Sequence, residues 1–237
     1  MPQLRELQQE NAPVSLEELK REERQAKMRL AISKKVPAFG FDNLLADWTF
    51  LQFLEYFGDD EVRAIAGYDL TLDYFEIILD RDPRFLDAYA FAATAGSLYA
   101  ARPREVDELI AQGLRSLSPN IPSHSYYIWR HKAVNELLFL DNAQEQAQRS
   151  FEKAAEWASP YPDATSQQIA QSSRKTAQFL ARNPESNTAK VTAWGMVLQA
   201  VSDAPTRKRA IREIEKLGGK VIVTPEGSLG IIPPAKD

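Results

Sequence analysis

Large apolar residues recur at helical spacing along most of the chain, and the breaks between runs fall on proline, glycine and small polar residues. The densest run follows Phe41: Leu44, Leu45, Trp48, Leu51, Phe53, Leu54, Tyr56 and Phe57 span an arc wide enough to predict a helix buried on most sides. Gly58-Asp59-Asp60 stops it, and a short piece leads to Gly67. Further helices are expected over Leu70–Leu79, Phe85–Tyr99 and from Pro103 to Leu117, where the missing amide of a first-turn proline costs little. After the break Ser118-Pro119-Asn120-Ile121-Pro122 come Ser125–Leu140 and Ala143–Ala158, then a break at Pro160-Tyr161-Pro162. Helices from Asp163 or Thr165 to Arg182, Thr188–Val201 and Pro205–Leu217 complete the set, and Gly218-Gly219 ends the last one.

The two ends differ from this body. Met1–Pro13 is rich in Gln, Glu and Pro and reads as a mobile arm. Ser15-Leu16-Glu17-Glu18 has the form of a capping box, opening a charged helix to about Lys34 that reads as a solvated stalk or docking helix. At the other end, Lys220–Thr224 and Ser228–Ile232 are β-prone runs around Pro225-Glu226-Gly227, which predicts a hairpin packed on the last helices. The expected fold class is all-α, with stacked antiparallel helix pairs and a short C-terminal β-hairpin. Its expected parts are an arm and charged helix over 1–36, a helical domain over 37–219, and a hairpin and tail over 220–237.

Helix-ending prolines at Pro83, Pro119 and Pro160 recur 36 and 41 residues apart, a period that suggests a helical array. The unit Ala147-x3-Phe151-x2-Ala154 closed by Pro160 resembles the second helix of the tetratricopeptide repeat. Trp48-x2-Leu51 with Tyr56, Thr71-x3-Phe75 and Pro83 give a weaker unit, and Tyr89-x2-Ala92-Ala93 with Leu114 and Pro119 another. The stretch Phe39–Trp48 with Tyr56-Phe57-Gly58-Asp59 is also similar to tetratricopeptide-like proteins of photosynthetic bacteria, often made with a membrane-anchoring leader. The resemblance implies a non-enzymatic adaptor or scaffold, with an assembly role at a membrane, thylakoid-side complex. Family members that grip a terminal carboxylate use Lys and Asn on their first helices. Here the corresponding positions hold Thr49 and Phe53, Ala90 and Thr94, Lys132 and Glu136, so that clamp is not expected.

Composition narrows the chemistry. The formal net charge of −4 argues against a nucleic-acid partner, which requires a basic face. With no cysteine, thiol nucleophiles and thiolate zinc sites are excluded. No apolar run approaches the roughly 18 residues of a spanning helix, and the N-terminus does not read as a signal peptide. The expected location is therefore cytosolic, or exported with a leader or anchor removed. No phosphate loop is present, and Gly227-x2-Gly230 has no helix after it. Their seven-residue spacing could put His124 and His131 on one helix face about 10.5 Å apart along the axis, too far to share a metal. No cofactor, metal or catalytic group is expected. Acidic groups at Asp59-Asp60-Glu61 and Asp80-Arg81-Asp82 fall at helix boundaries, where capping explains them. The basic run Arg207-Lys208-Arg209 reads as a solvated face.

Candidate binding residues then concentrate on one helix. Tyr126, Tyr127 and Trp129 cannot all point one way, so at least one is expected at a groove or rim, with Arg130, Lys132 and Asn135 beside it. Tyr126, Trp129, Arg130, Lys132 and Asn135 are thus the expected partner site, for a peptide or helical segment. The competing expectation is a structural module that self-associates through its N-terminal helix or C-terminal hairpin.

Overall fold

The computed structural model describes residues 16–201, 203–223, 229–235 and 237. Met1–Pro13, the Ser15 cap with its Glu18 partner, and the hairpin loop Pro225–Gly227 lie outside the described residues or side chains. The fold is all-α with one two-stranded antiparallel hairpin. Its helices are α1 Leu16–Ser33, α2 Asp42–Gly58, α3 Asp60–Ala66, α4 Thr71–Arg81, α5 Leu86–Thr94, α6 Pro103–Leu114, α7 Tyr126–Phe139, α8 Gln144–Ala158, α9 Ala164–Arg182, α10 Asn187–Ala200 and α11 Ala204–Lys216. The hairpin pairs β1 Lys220–Val223 with β2 Leu229–Ile232, Val221 opposite Ile231.

The helix starts follow from capping. Asp59, Asp163, Ser186 and Asp203 each accept an amide hydrogen bond from the residue three further on, opening α3, α9, α10 and α11. Pro103 is the first residue of α6. Gly218, at φ +83, turns the chain out of α11 and toward β1. The basic run on α11 is solvated, as its composition suggests: Arg207, Lys208 and Arg209 are all exposed.

Two of the four buried apolar clusters among the described residues organise most of the helices. In the first, Phe53 of α2 is fully buried, with its ring 4.4 Å from Phe75 and 5.4 Å from Phe57. Leu72, Ile78, Tyr89 and Ile110 surround it from α4, α5 and α6. Leu30 of α1 inserts there as well, so the charged helix is anchored by one buried leucine. In the second core, Ala133 and Leu137 of α7, Ala147 and Phe151 of α8, Ala177 and Leu180 of α9, and Ala189 and Ala193 of α10 meet. Alanine dominates this core, and small side chains let α8 lie close along both α7 and α9.

Glycine permits close approach at two packing points. A Cβ on Gly195 would lie 2.3 Å from Ile231 Cδ1, so β2 rests directly on α10. A Cβ on Gly113 would lie 1.9 Å from the Tyr89 hydroxyl oxygen. That hydroxyl donates to the Pro83 carbonyl at 2.8 Å, which leaves the ring little freedom to retreat. Gly113→Ala gains about 1 kcal/mol of helix propensity but incurs overpacking of about 1–3 kcal/mol. With backbone-anchored Tyr89 as the obstacle, the clash is expected to win. Chemical denaturation should show a net loss of up to about 2 kcal/mol.

Two expectations are corrected. First, α2 is not buried on most sides: Leu44, Trp48 and Leu51 are 64%, 60% and 57% exposed. A wide apolar arc need not be a covered one, and only the Ala46–Thr49–Phe53 side faces the core. Second, the helix expected over Phe85–Tyr99 is interrupted. Its α-helical part ends at Thr94, and Ala95–Tyr99 forms a π-helical turn in which the Ala100 amide donates to the Ala95 carbonyl at 2.9 Å. Gly96 sits there because a Cβ would lie 2.3 Å from Val106 Cγ2. Such turns widen a helix and swing its side chains outward.

Candidate functional site

The π-helical turn matters because it forms one wall of a groove. The groove holds a cavity of about 420 Å³ between α5 with its π-turn, α7, and the C-terminal end of α10. On α7 the lining residues are Tyr127, Arg130, His131, Val134 and Asn135, which share one face at i, i+3, i+4, i+7 and i+8, with Phe139 at its end. Ala95, Leu98 and Tyr99 come from the π-turn, and Met196, Val197 and Ala200 from α10. Beyond Tyr127 and His131 the groove continues into an open crevice of about 580 Å³, bordered by Tyr126, Asp87 and Asp163. The volume falls within the roughly 300–1,000 Å³ of small-ligand pockets, and the open crevice leaves room for a chain segment to run through.

Several polar groups at the groove are committed within the fold. Asn135 is buried, accepts from Ser97 at 2.6 Å and donates to the Pro103 carbonyl at 2.9 Å, which fixes α7 against the π-turn and α6. The Tyr99 hydroxyl and Thr206 Oγ1 lie 2.5 Å apart, and Asp203 accepts from the Thr206 amide at 2.7 Å as the cap of α11. Tyr99 is shielded enough by burial, with Asp203 close by, that its ionisation is pushed far above the ordinary phenol value.

Arg130 is the exception. Its Nε is buried without a hydrogen-bond partner, and no ion pair with a carboxylate occurs for it among the described residues. Burial lowers its pKa from the ordinary guanidinium value, opposed only by the phenols of Tyr127 and Tyr126. A guanidinium does not lose its proton near neutrality, so the groove lining carries a half-buried positive charge, its Nε covered, beside a mainly apolar cavity.

His131, next along the helix, is driven the other way from a charged state. Burial first, and the Arg130 charge second, lower its pKa from 6.5 to about 4. In the folded protein it is therefore neutral at physiological pH. Below pH 6.5 the unfolded chain takes up a proton there that the folded chain does not, so stability falls as pH drops and levels off below about 4. The contribution is on the order of 2–3 kcal/mol. Urea titrations of His131→Gln are expected to lose that part of the acid sensitivity between pH 6.5 and 4.

The five residues singled out from the sequence divide. Arg130 and Asn135 line the cavity, and Tyr126 borders the adjoining crevice while its hydroxyl lies 2.8 Å from Ser166 Oγ in the protein interior. Trp129 and Lys132 are on the other side of α7 and do not line this cavity. Trp129 packs edge-on against Trp157, ring centroids 5.8 Å apart. Lys132 is ion-paired to Asp107 at 2.6 Å and Glu136 at 3.0 Å, and so ties α6 to α7. Two residues away on a helix is some 200° of rotation, so Arg130 and Lys132 cannot face one groove. The cavity-lining residues not anticipated from the sequence are His131, Val134 and the α10 set. The first two were accessible from the i, i+3, i+4, i+7 spacing on α7. The α10 residues carry no local signal, since only the tertiary fold brings that helix across.

No family model, curated protein or solved structure matches the chain. Among the described residues no helix is long and apolar enough to cross a membrane, and no group of His, Asp and Glu is placed to hold a metal ion.

Proposed function

We propose that the chain is a non-enzymatic adaptor that captures a partner segment in the α5–α7–α10 groove. The segment has an apolar body and one carboxylate, and the carboxylate pairs with Arg130. The single observation that carries this reading is the half-buried guanidinium at the cavity, its Nε buried without a hydrogen-bond partner and no carboxylate paired with it among the described residues. Burying a charge without a partner is costly, and a ligand carboxylate removes that cost while forming a charge-assisted bidentate pair. Tyr127, Leu98, Met196 and Val197 supply apolar contact, and methionine and tyrosine adapt well to partner surfaces. The residues are arranged differently from the carboxylate clamp of tetratricopeptide co-chaperones, with one cation on one helix face. In its wider form, supported only by the sequence resemblance, the proposal makes the chain a tetratricopeptide-like scaffold that assembles a membrane complex of the photosynthetic type.

The test is photo-crosslinking in the native host with a benzophenone side chain at Val197, and at exposed Lys208 as control. The expected product at Val197 is a discrete partner peptide with large apolar residues around an Asp, Glu or terminal carboxylate. Identical crosslinks from both positions would count against the groove.

A further inference from the structure

Between Met28 and Leu51, eight large apolar side chains are each at least 40% exposed, with Phe39 at 85% and Trp48 at 60%. Together they expose on the order of 1,000 Å², more than the roughly 300–600 Å² of the largest patch on a typical monomer. A standard interface buries about 800 Å² per partner, so the patch is large enough for one.

Its framework is rigid. The turn joining α1 to α2 is held by Arg81, which donates to the carbonyls of Ser33, Lys34 and Val36 and pairs with Asp42 at 2.9 Å. Across a shared crevice, Glu22 and Ala26 of α1 face Gln52 and Glu55 of α2. α1 packs on α3 and α4 and runs antiparallel to α2 on the far side of this crevice, with the Arg24 end of α1 level with the Glu55 end of α2.

The outer faces differ in charge. Along α1 and just past it, Arg21, Arg24, Met28, Ile32 and Lys35 are exposed at spacings of three and four. Along α2 the exposed series is Leu44, Trp48, Leu51 and Glu55, with Asp47 beside it. One half of the patch is apolar and cationic; the other is apolar and acidic. Such a surface complements itself about a two-fold axis lying between the helices and parallel to them.

We infer that this face pairs two copies of the chain into an isologous dimer, α1 of each copy lying on α2 of the other. Met28 and Ile32 meet Leu51 and Trp48 of the second copy, and Arg24 meets Glu55 of the second copy. An anionic membrane is the poorer occupant, because Asp47 and Glu55 would oppose its headgroups. This inference does not depend on the groove, which is built from other helices.

Sedimentation velocity on the full chain tests it. The expected result is a dimer at micromolar concentration, with Trp48→Glu raising the dissociation constant about 100-fold or more, as for a central tryptophan anchor. Arg24→Glu should weaken the dimer about tenfold, since the axis repeats each contact. Adding Glu55→Arg to Arg24→Glu should restore it. This pair of charge variants also carries the test if Trp48→Glu does not fold. A monomer at every concentration, or a dimer indifferent to all three changes, would overturn the inference. So would a monomeric chain that binds vesicles containing anionic phospholipid, which would make the face a membrane contact.

Discussion

Lys132→Met is expected to lower the unfolding free energy by about 3 kcal/mol, the lower end of the range for breaking a buried ion pair. Lys132 is the shared cation of Asp107 and Glu136, and its side chain is only 12% exposed. Glu136 is the more vulnerable partner. It is 3% exposed, one of its carboxylate oxygens has no hydrogen-bond partner, and burial already raises its pKa against the pull of Ser150 and Lys132. Without the lysine its pKa rises further, so the folded variant holds a proton that the unfolded chain releases. Stability of the variant then falls as pH rises through that higher pKa, and the deficit against the parent protein narrows toward acid. Urea melts at neutral and acidic pH measure both the loss and its narrowing. Heating should show the neutral-pH loss as a drop of roughly 10 °C in Tm for a domain of this size.

Arg130→Met is expected to do the opposite to stability and to abolish capture. Methionine fills a similar volume without a charge to desolvate, so the unliganded protein should gain about 1–2 kcal/mol. Affinity for the crosslinked partner peptide should fall by about 100-fold, the loss of one buried charge-assisted pair of about 2–3 kcal/mol. Calorimetric titration of both proteins with that peptide, beside their melting curves, measures the two effects together. Two cations two residues apart on α7 thus have contrary roles. Lys132 is neutralised within the fold, whereas Arg130 is left uncompensated at a cavity. A gain in stability coupled to a loss in binding is the signature of a group kept for its ligand.

Much of this architecture was legible from residue order because its signals are local. Pro103, Asp163 and Gly218 mark ends that depend on the backbone chemistry of one turn, and each falls at a helix boundary. The β-prone runs around Pro225-Glu226-Gly227 likewise pair as β1 and β2. The exceptions depend on packing. Gly96 in the π-turn leaves room for Val106 and Leu72 from other helices, which an added Cβ would meet and which no window around Ser97 contains. The exposure of Trp48 and Leu51 follows from which neighbours are missing over α2, and an apolar arc does not encode that. At the groove, the aromatic density around Tyr126 marks a helix that lines the cavity but does not say which of its faces does so. Face selection came from α10 crossing α7, which leaves Arg130 and His131 inward-facing and turns Lys132 toward Asp107.

The most direct test of carboxylate recognition in the groove reverses the charge of its one uncompensated group. Parent and Arg130→Glu proteins are each used to select binders from a random peptide display library, with circular dichroism checking that both fold. The account predicts apolar peptides carrying Asp, Glu or a free C-terminal carboxylate for the parent, and apolar peptides carrying Lys or Arg for the variant. Enrichment of the same peptides by both proteins, or no enrichment by the folded parent, would contradict it.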